Sequence, residues 1–213
     1  MILKKNLNEQ IYESLRQDII DQKIKFGDKL ANRDLQEKYN VSSTPVRDAI
    51  NRLYQDGLIE DITNSGARVI DFNYKITTEI NEIISLLSAQ AVKLSAKKSK
   101  IEDIVPALEK NIQLQVENIN KIEYFEYDKN FHLTFFEFCD NDRFIQMYKQ
   151  YQTLWEILVK FYYLDKESKK MSAIRSHKEI LSAYKQGDIL LAQERLESHY
   201  LDAARPFKKI FGQ

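Results

Sequence analysis

The chain contains only three histidines, His132, His177 and His199, and Asp128 precedes the first of them by four residues. On a helix that spacing stacks a carboxylate and an imidazole on one face. Neutral imidazoles and one carboxylate suit a divalent cation, and zinc, nickel and manganese all accept this donor set. Four protein ligands leave two positions open on an octahedral ion, where water or a carboxylate could enter, whereas they close a tetrahedral zinc. The plainer alternative is that each histidine is hydrogen-bonded inside a core. Tyr127, Phe131, Phe135 and Tyr200 stand beside these positions and would surround them with rings. An ion with open positions could also activate water, so a metal-dependent enzyme is a rival reading. No further carboxylate stands at a recognisable general-base spacing, because Glu179 lies two residues from His177 and would point away from it on a helix.

Four side chains spread from 128 to 199 converge only if helices pack side by side. Five Gly and three Pro in 213 residues leave few breakers. After Asp71 the chain runs in long periodic segments, at roughly 75–98, 101–119, 122–139, 142–164, 170–186 and 188–209. Asn73, Lys100, Asn120, the Cys139-Asp140-Asn141-Asp142 cluster, the LDKESKK stretch and Gly187 mark their ends. Six segments predict an antiparallel bundle over 73–213, with His177 opening the fifth helix and His199 in the sixth.

Residues 1–72 read differently. Leu7, Ile11, Leu15 and Ile19 recur every four residues and build one apolar helical face, which ends at the KIKFGDKL turn. Asn32 can cap a short helix over 33–39, and Asn40-Val41 make a turn. Ser43 or Thr44 can cap a further helix with Pro45 in its first turn and Val46, Ile50 and Leu53 buried. Gly57 ends that helix, and short alternating runs, Leu58 to Ile62 and Ala67 to Ile70, flank Thr63-Asn64-Ser65-Gly66. This order is that of a winged helix-turn-helix. The fold class expected is therefore mainly α, a winged helix-turn-helix followed by an all-α bundle of about six helices. Ser42, Ser43, Thr44 and Arg47 project from the start of the third helix, and Arg47 and Arg52 can neutralise phosphates or read guanine.

The run GDKLANRDLQEKYNVSSTPVRDAINRLYQDGLI resembles the DNA-binding domain of the GntR family of bacterial regulators. The resemblance implies that Arg33, Thr44 and Arg47 contact operator DNA, with Gly66 at the wing tip near the minor groove, and Ser43 is counted with them as a DNA-binding residue. Ser43 stands where many relatives carry Arg, and Asn64-Ser65-Gly66 replaces a more glycine-rich wing. YDKNFH and SHKEILSAYKQGDILLAQERLESHY are similar to the FCD effector domain of the FadR subfamily, in its six-helix VanR-like branch. That resemblance implies that Asp128, His132, His177 and His199 bind a divalent metal that helps hold a carboxylate-bearing effector. Many relatives carry an R-x-x-x-E arrangement on the first effector-domain helix, where this chain has Ile84 and Ser88.

Bulk composition agrees without deciding. Basic and acidic residues number 32 each, and residues 1–70 balance at 11 and 11, so only local charge placement could favour nucleic acid. A lone Cys139 excludes an intrachain disulfide and reads as a small buried apolar residue. With no long apolar run at the N-terminus or elsewhere, the expectation is a cytoplasmic chain that does not enter a membrane. Tyr148, Tyr151, Trp155 and Phe161-Tyr162-Tyr163 read as core and pocket lining, since no basic stripe accompanies them. The expected partners are operator DNA, a small carboxylic acid and a second copy of the chain, because helix-turn-helix proteins read paired half-sites.

Overall fold

The computed structural model describes residues 6–212, which fall into two compact units, one ending at Asn73 and the other beginning at Tyr74. In the first unit α1 (Leu7–Ile20) buries Ile11, Leu15 and Ile19, and it packs on α3 (Ser43–Gln55) through Val46, Ala49, Ile50 and Leu53. Each buried Val, Leu or Ile side chain among these contributes about 1.5–3 kcal/mol when withdrawn from water. Leu7 is half exposed and lies outside this face. Between these helices come β1 (Lys29–Ala31) and α2 (Asn32–Tyr39), and after them β2 (Ile59–Ile62) and β3 (Gly66–Val69). The sheet order is β1-β3-β2, antiparallel throughout, with Leu30 opposite Ala67. Three-residue β1 carries no readable alternation, and pairing with β3 makes it a strand.

The caps differ from expectation. The N-cap of α2 is Ala31, and Asn32 is its first residue. Asn32 ties the helix to the wing instead: its amide N–H donates to the Ser65 carbonyl at 2.9 Å and its side chain to the Asn64 carbonyl at 3.3 Å. The N-cap of α3 is Ser42 rather than Ser43 or Thr44, and it makes no side-chain capping bond. Asn40 and Gly57 take the left-handed conformation that ends α2 and follows α3, with φ of 52° and 74°.

The second unit contains α4 (Tyr74–Lys98), α5 (Ile101–Glu117), α6 (Tyr124–Glu137), α7 (Asp142–Tyr163), α8 (Glu167–Lys185) and α9 (Ile189–Phe211). Helix α4 packs against α6, α7 and α9, and α8 against α5 and α9. Asn81 bonds the Tyr200 carbonyl and Gln193 bonds the Ala89 carbonyl, so α4 and α9 run antiparallel. Phe131, Phe135, Phe136, Tyr148, Tyr184, Tyr200 and Phe207 are fully enclosed in the core. Phe161, expected with the core aromatics, is half exposed. Helix α8 starts at Glu167, inside the stretch read as a boundary, so His177 lies in mid-helix. Nothing in ESKK breaks a helix, and Glu167 favours the first turn of one.

Candidate functional site

Helices α6, α8 and α9 bring the three histidines together. Their potential ligand nitrogens lie within 4.8 Å of one another, and all three residues are buried. His177 Nε2 is 3.4 Å from His199 Nε2 and 3.9 Å from Asp128 Oδ1. Phe131 stacks on His177 with centroids 4.1 Å apart, and Tyr200 lies 5.1 Å from the His132 ring. The rings are thus held in place by apolar packing on either side.

One residue absent from the sequence reading orients this cluster. Gln115, buried on α5, donates from Nε2 to the Tyr127 carbonyl at 3.1 Å, which turns its Oε1 toward His177. That oxygen only accepts, so His177 Nδ1–H donates to it at 2.8 Å and His177 Nε2 carries the lone pair facing the cluster. His132 Nδ1 is buried with no hydrogen-bond partner among the described residues. Burial holds His132 and His177 well below the usual histidine range, with the neighbouring imidazoles adding to the effect, and brings His199 down to about 4. All three are therefore neutral, the form in which imidazole binds a metal. Burial pushes Asp128 up to about 7, opposed by a hydrogen bond from the Tyr124 hydroxyl at 3.3 Å and reinforced by Glu156. A carboxylate so disfavoured, a buried orphan nitrogen and two imidazole nitrogens aimed at each other fit a cation better than a closed hydrogen-bonded core.

The cluster opens on a cavity of about 260 Å³. Asp128, His132 and His199 line one part of it, and Trp155, Tyr163 and Lys170 line others. Ile84 and Ser88 do not reach it: Ile84 is enclosed in the helix packing and the Ser88 hydroxyl donates to the Tyr200 hydroxyl at 3.0 Å. Cys139 is fully buried, its thiol donating to the Phe135 carbonyl, and burial pushes it up to about 11.

In the first unit Ser43, Thr44 and Arg47 are all exposed along the start of α3, and Arg33 is exposed on α2. Among the described residues Arg47 has no ion-pair partner, whereas Arg33 pairs with Glu37 at 3.0 Å. Arg52 is occupied elsewhere: it pairs with Glu9 of α1 and lies 3.9 Å over the Tyr12 ring. Gly66 is buried within the sheet opposite Ala31, and a Cβ there would collide with the Leu30 carbonyl. The exposed turn is Thr63-Asn64-Ser65, and Gly66 is the residue that lets β3 lie close against β1.

Two family models match this chain, "Bacterial regulatory proteins, gntR family" over residues 7–69 and "FCD domain" over residues 79–202. The chain belongs to the GntR family of regulators, with an FCD domain. It is similar to the HTH-type transcriptional repressor RspR of Escherichia coli K12, 25% identical over 96% of this chain and 90% of that one. It is 29% identical to the Uxu operon regulator of Haemophilus influenzae over 69% of this chain and 59% of the other. Among solved structures, E. coli McbR/YncC superposes with a TM-score of 0.74 at 20% identity, covering 98% of this chain and all of that one. A GntR transcriptional regulator from Rhodococcus sp. RHA1 superposes with a TM-score of 0.71 at 19% identity, over 94% and 96% of the two chains. Such neighbours show the fold alone. The relatives are transcription regulators rather than enzymes, and this GntR chain is a transcription regulator whose first unit is the family's DNA-binding module. Among its described residues no helix is long and apolar enough to cross a membrane.

Proposed function

We propose that this regulator represses transcription as a cytoplasmic homodimer and that a small carboxylic acid, held beside a divalent ion in the FCD unit, changes its affinity for operator DNA. The observation that carries the reading is the meeting of His132, His177 and His199 with Asp128 at one end of a cavity. Asp128, His132, His177 and His199 would hold the ion, zinc, nickel or manganese; when bound it supplies positive charge and, in octahedral geometry, vacant positions for oxygen donors. The protein's own part is to keep the imidazoles neutral and aimed inward, through Gln115 and the stacked Phe131, and to exclude bulk water with Trp155 and Tyr163. Arg33, Ser43, Thr44 and Arg47 would face the operator, with the Thr63–Ser65 turn as the wing, while Gly66 supports that wing from within. The name of the relative RspR, a repressor, supports repression.

A regulator of this kind must show reciprocal coupling, about 1–3 kcal/mol between effector and DNA. The test is operator binding by the zinc-, nickel- or manganese-loaded chain across a panel of small acids. One acid that shifts operator affinity, and whose own affinity shifts equally when DNA is added, bears the proposal out. A metal-loaded protein whose operator affinity no acid alters leaves the ion as a staple of the bundle.

A further inference from the structure

Lys170 is the one lysine of the chain buried in the described structure, and it lines the cavity. Taking an ammonium out of water costs several kcal/mol unless an anion and hydrogen bonds replace the solvent. Of its three donors, one goes to the Ile119 carbonyl at 3.1 Å. The rings of Tyr124 and Phe125, with centroids 5.5 and 5.3 Å from Nζ, supply weaker attraction. No carboxylate makes a direct ion pair with Lys170 among the described residues; burial holds its pKa below the usual lysine value, opposed by the nearby charges of Asp165 and Glu167. The other charges around the cavity are differently engaged. Arg205 pairs with Asp202 at 3.1 Å in an exposed position, Lys169 is exposed, and Asp128 faces His177. No residue of α4 lines the cavity, so the first effector-domain helix brings no cation to it.

Lys170 and the histidine cluster are one side chain apart. Tyr124 donates from its hydroxyl to Asp128 Oδ1 while its ring stands against Lys170 Nζ. A short ligand can therefore touch both.

We infer that Lys170 receives an anionic group of the effector, so that the cavity selects small acids with two anionic ends, one turned to Lys170 and the other to the Asp128–histidine cluster. The inference rests on the effector reading above and adds to it the ligand's charge pattern and the residue that reads it. In effect Lys170, on α8, supplies a cation that Ile84 on α4 does not.

Calorimetry on the full-length, nickel-loaded chain, whose ion can keep octahedral positions open, tests it with acids paired by length: succinate against butyrate, and adipate against hexanoate. In each pair that binds, the dicarboxylate should bind about tenfold tighter or more, the scale of a buried charge-assisted contact. Lys170→Met should abolish that preference and Lys170→Arg should keep it. Lys170→Gln, which keeps a polar N–H donor, provides a second neutral variant if Lys170→Met does not fold. A parent with no preference for dicarboxylates, or a folded, nickel-replete neutral variant that retains the parent's preference, overturns the role of Lys170 and leaves the effector reading standing. If none of the four acids binds the nickel-loaded parent, this inference fails, and the panel under the proposed function decides the effector reading separately.

Discussion

The two units place in opposite ways the side chains proposed to act. In the first, Arg33, Ser43, Thr44 and Arg47 are exposed on two short helices whose apolar faces alone are buried. In the second, three histidines are buried and held by packing and hydrogen bonds from α5, α6, α8 and α9. A surface that meets a polyanion needs exposed, unengaged donors on a stiff support. A site that concentrates neutral ligands around an ion needs burial, because burial is what keeps imidazoles uncharged. Substitutions should therefore act on affinity alone in the first set and on fold, metal and affinity together in the second, apart from residues that brace the first unit from within.

The largest effect expected is on such a brace. Gly66→Ala brings a methyl group against the Leu30 carbonyl and should lower the stability of the winged unit by about 3 kcal/mol, as overpacking does. Thermal denaturation followed by circular dichroism measures this, and a variant as stable as the parent would mean that β1 and β3 are less close than described. Next comes Arg47→Ala, which should weaken operator binding by about 1–3 kcal/mol without loss of stability. Arg52→Ala is its contrast. It should cost about 0.5–1 kcal/mol of stability through the lost Glu9 and Tyr12 contacts and leave the operator's base preference unchanged. Equal effects of the two substitutions on base preference would erase the distinction between reading and bracing arginines.

These contrasts also separate what could be read in the sequence from what could not. The helix order and the exposed face of α3 were legible because cap, turn and apolar period lie within 50 contiguous residues. Asp128 and His132 were legible as a pair because they share one helical face, and His177 and His199 because a chain with three histidines draws attention to each. Gln115 was not, since its partner His177 is 62 positions away and a glutamine on a helix is ordinarily a solvated residue. Lys170 was hidden for a similar reason, inside a polar run that reads as a loop and is in fact the first turn of α8. Arg52 looked like a DNA contact because spacing does not reveal that α1 presents Glu9 and Tyr12 to it.

Gln115 offers the next sharpening. Gln115→Leu removes the acceptor that orients His177 and should weaken metal binding about 10–100-fold, while Gln115→Glu, which keeps that acceptor but loses the donor to the Tyr127 carbonyl, should weaken it less. Competition with a chromogenic chelator reads the difference, and equal affinities for parent and Gln115→Leu would make Gln115 a packing residue only. The smallest effect concerns Cys139. Because Cys139 is fully buried and burial raises its thiol to about 11, alkylation between pH 7 and 9 should need opening of the bundle. Rapid native-state alkylation at pH 8 would show that the bundle core opens more readily than its packing indicates.

The most direct test is the metal content of the purified chain beside its His132→Ala, His177→Ala and His199→Ala variants, measured by elemental analysis with folding checked by circular dichroism. The account predicts close to one divalent ion per chain in the parent and little or none in each folded variant. Metal content unchanged in all three, or absent from a parent dialysed against zinc, nickel and manganese, would contradict it.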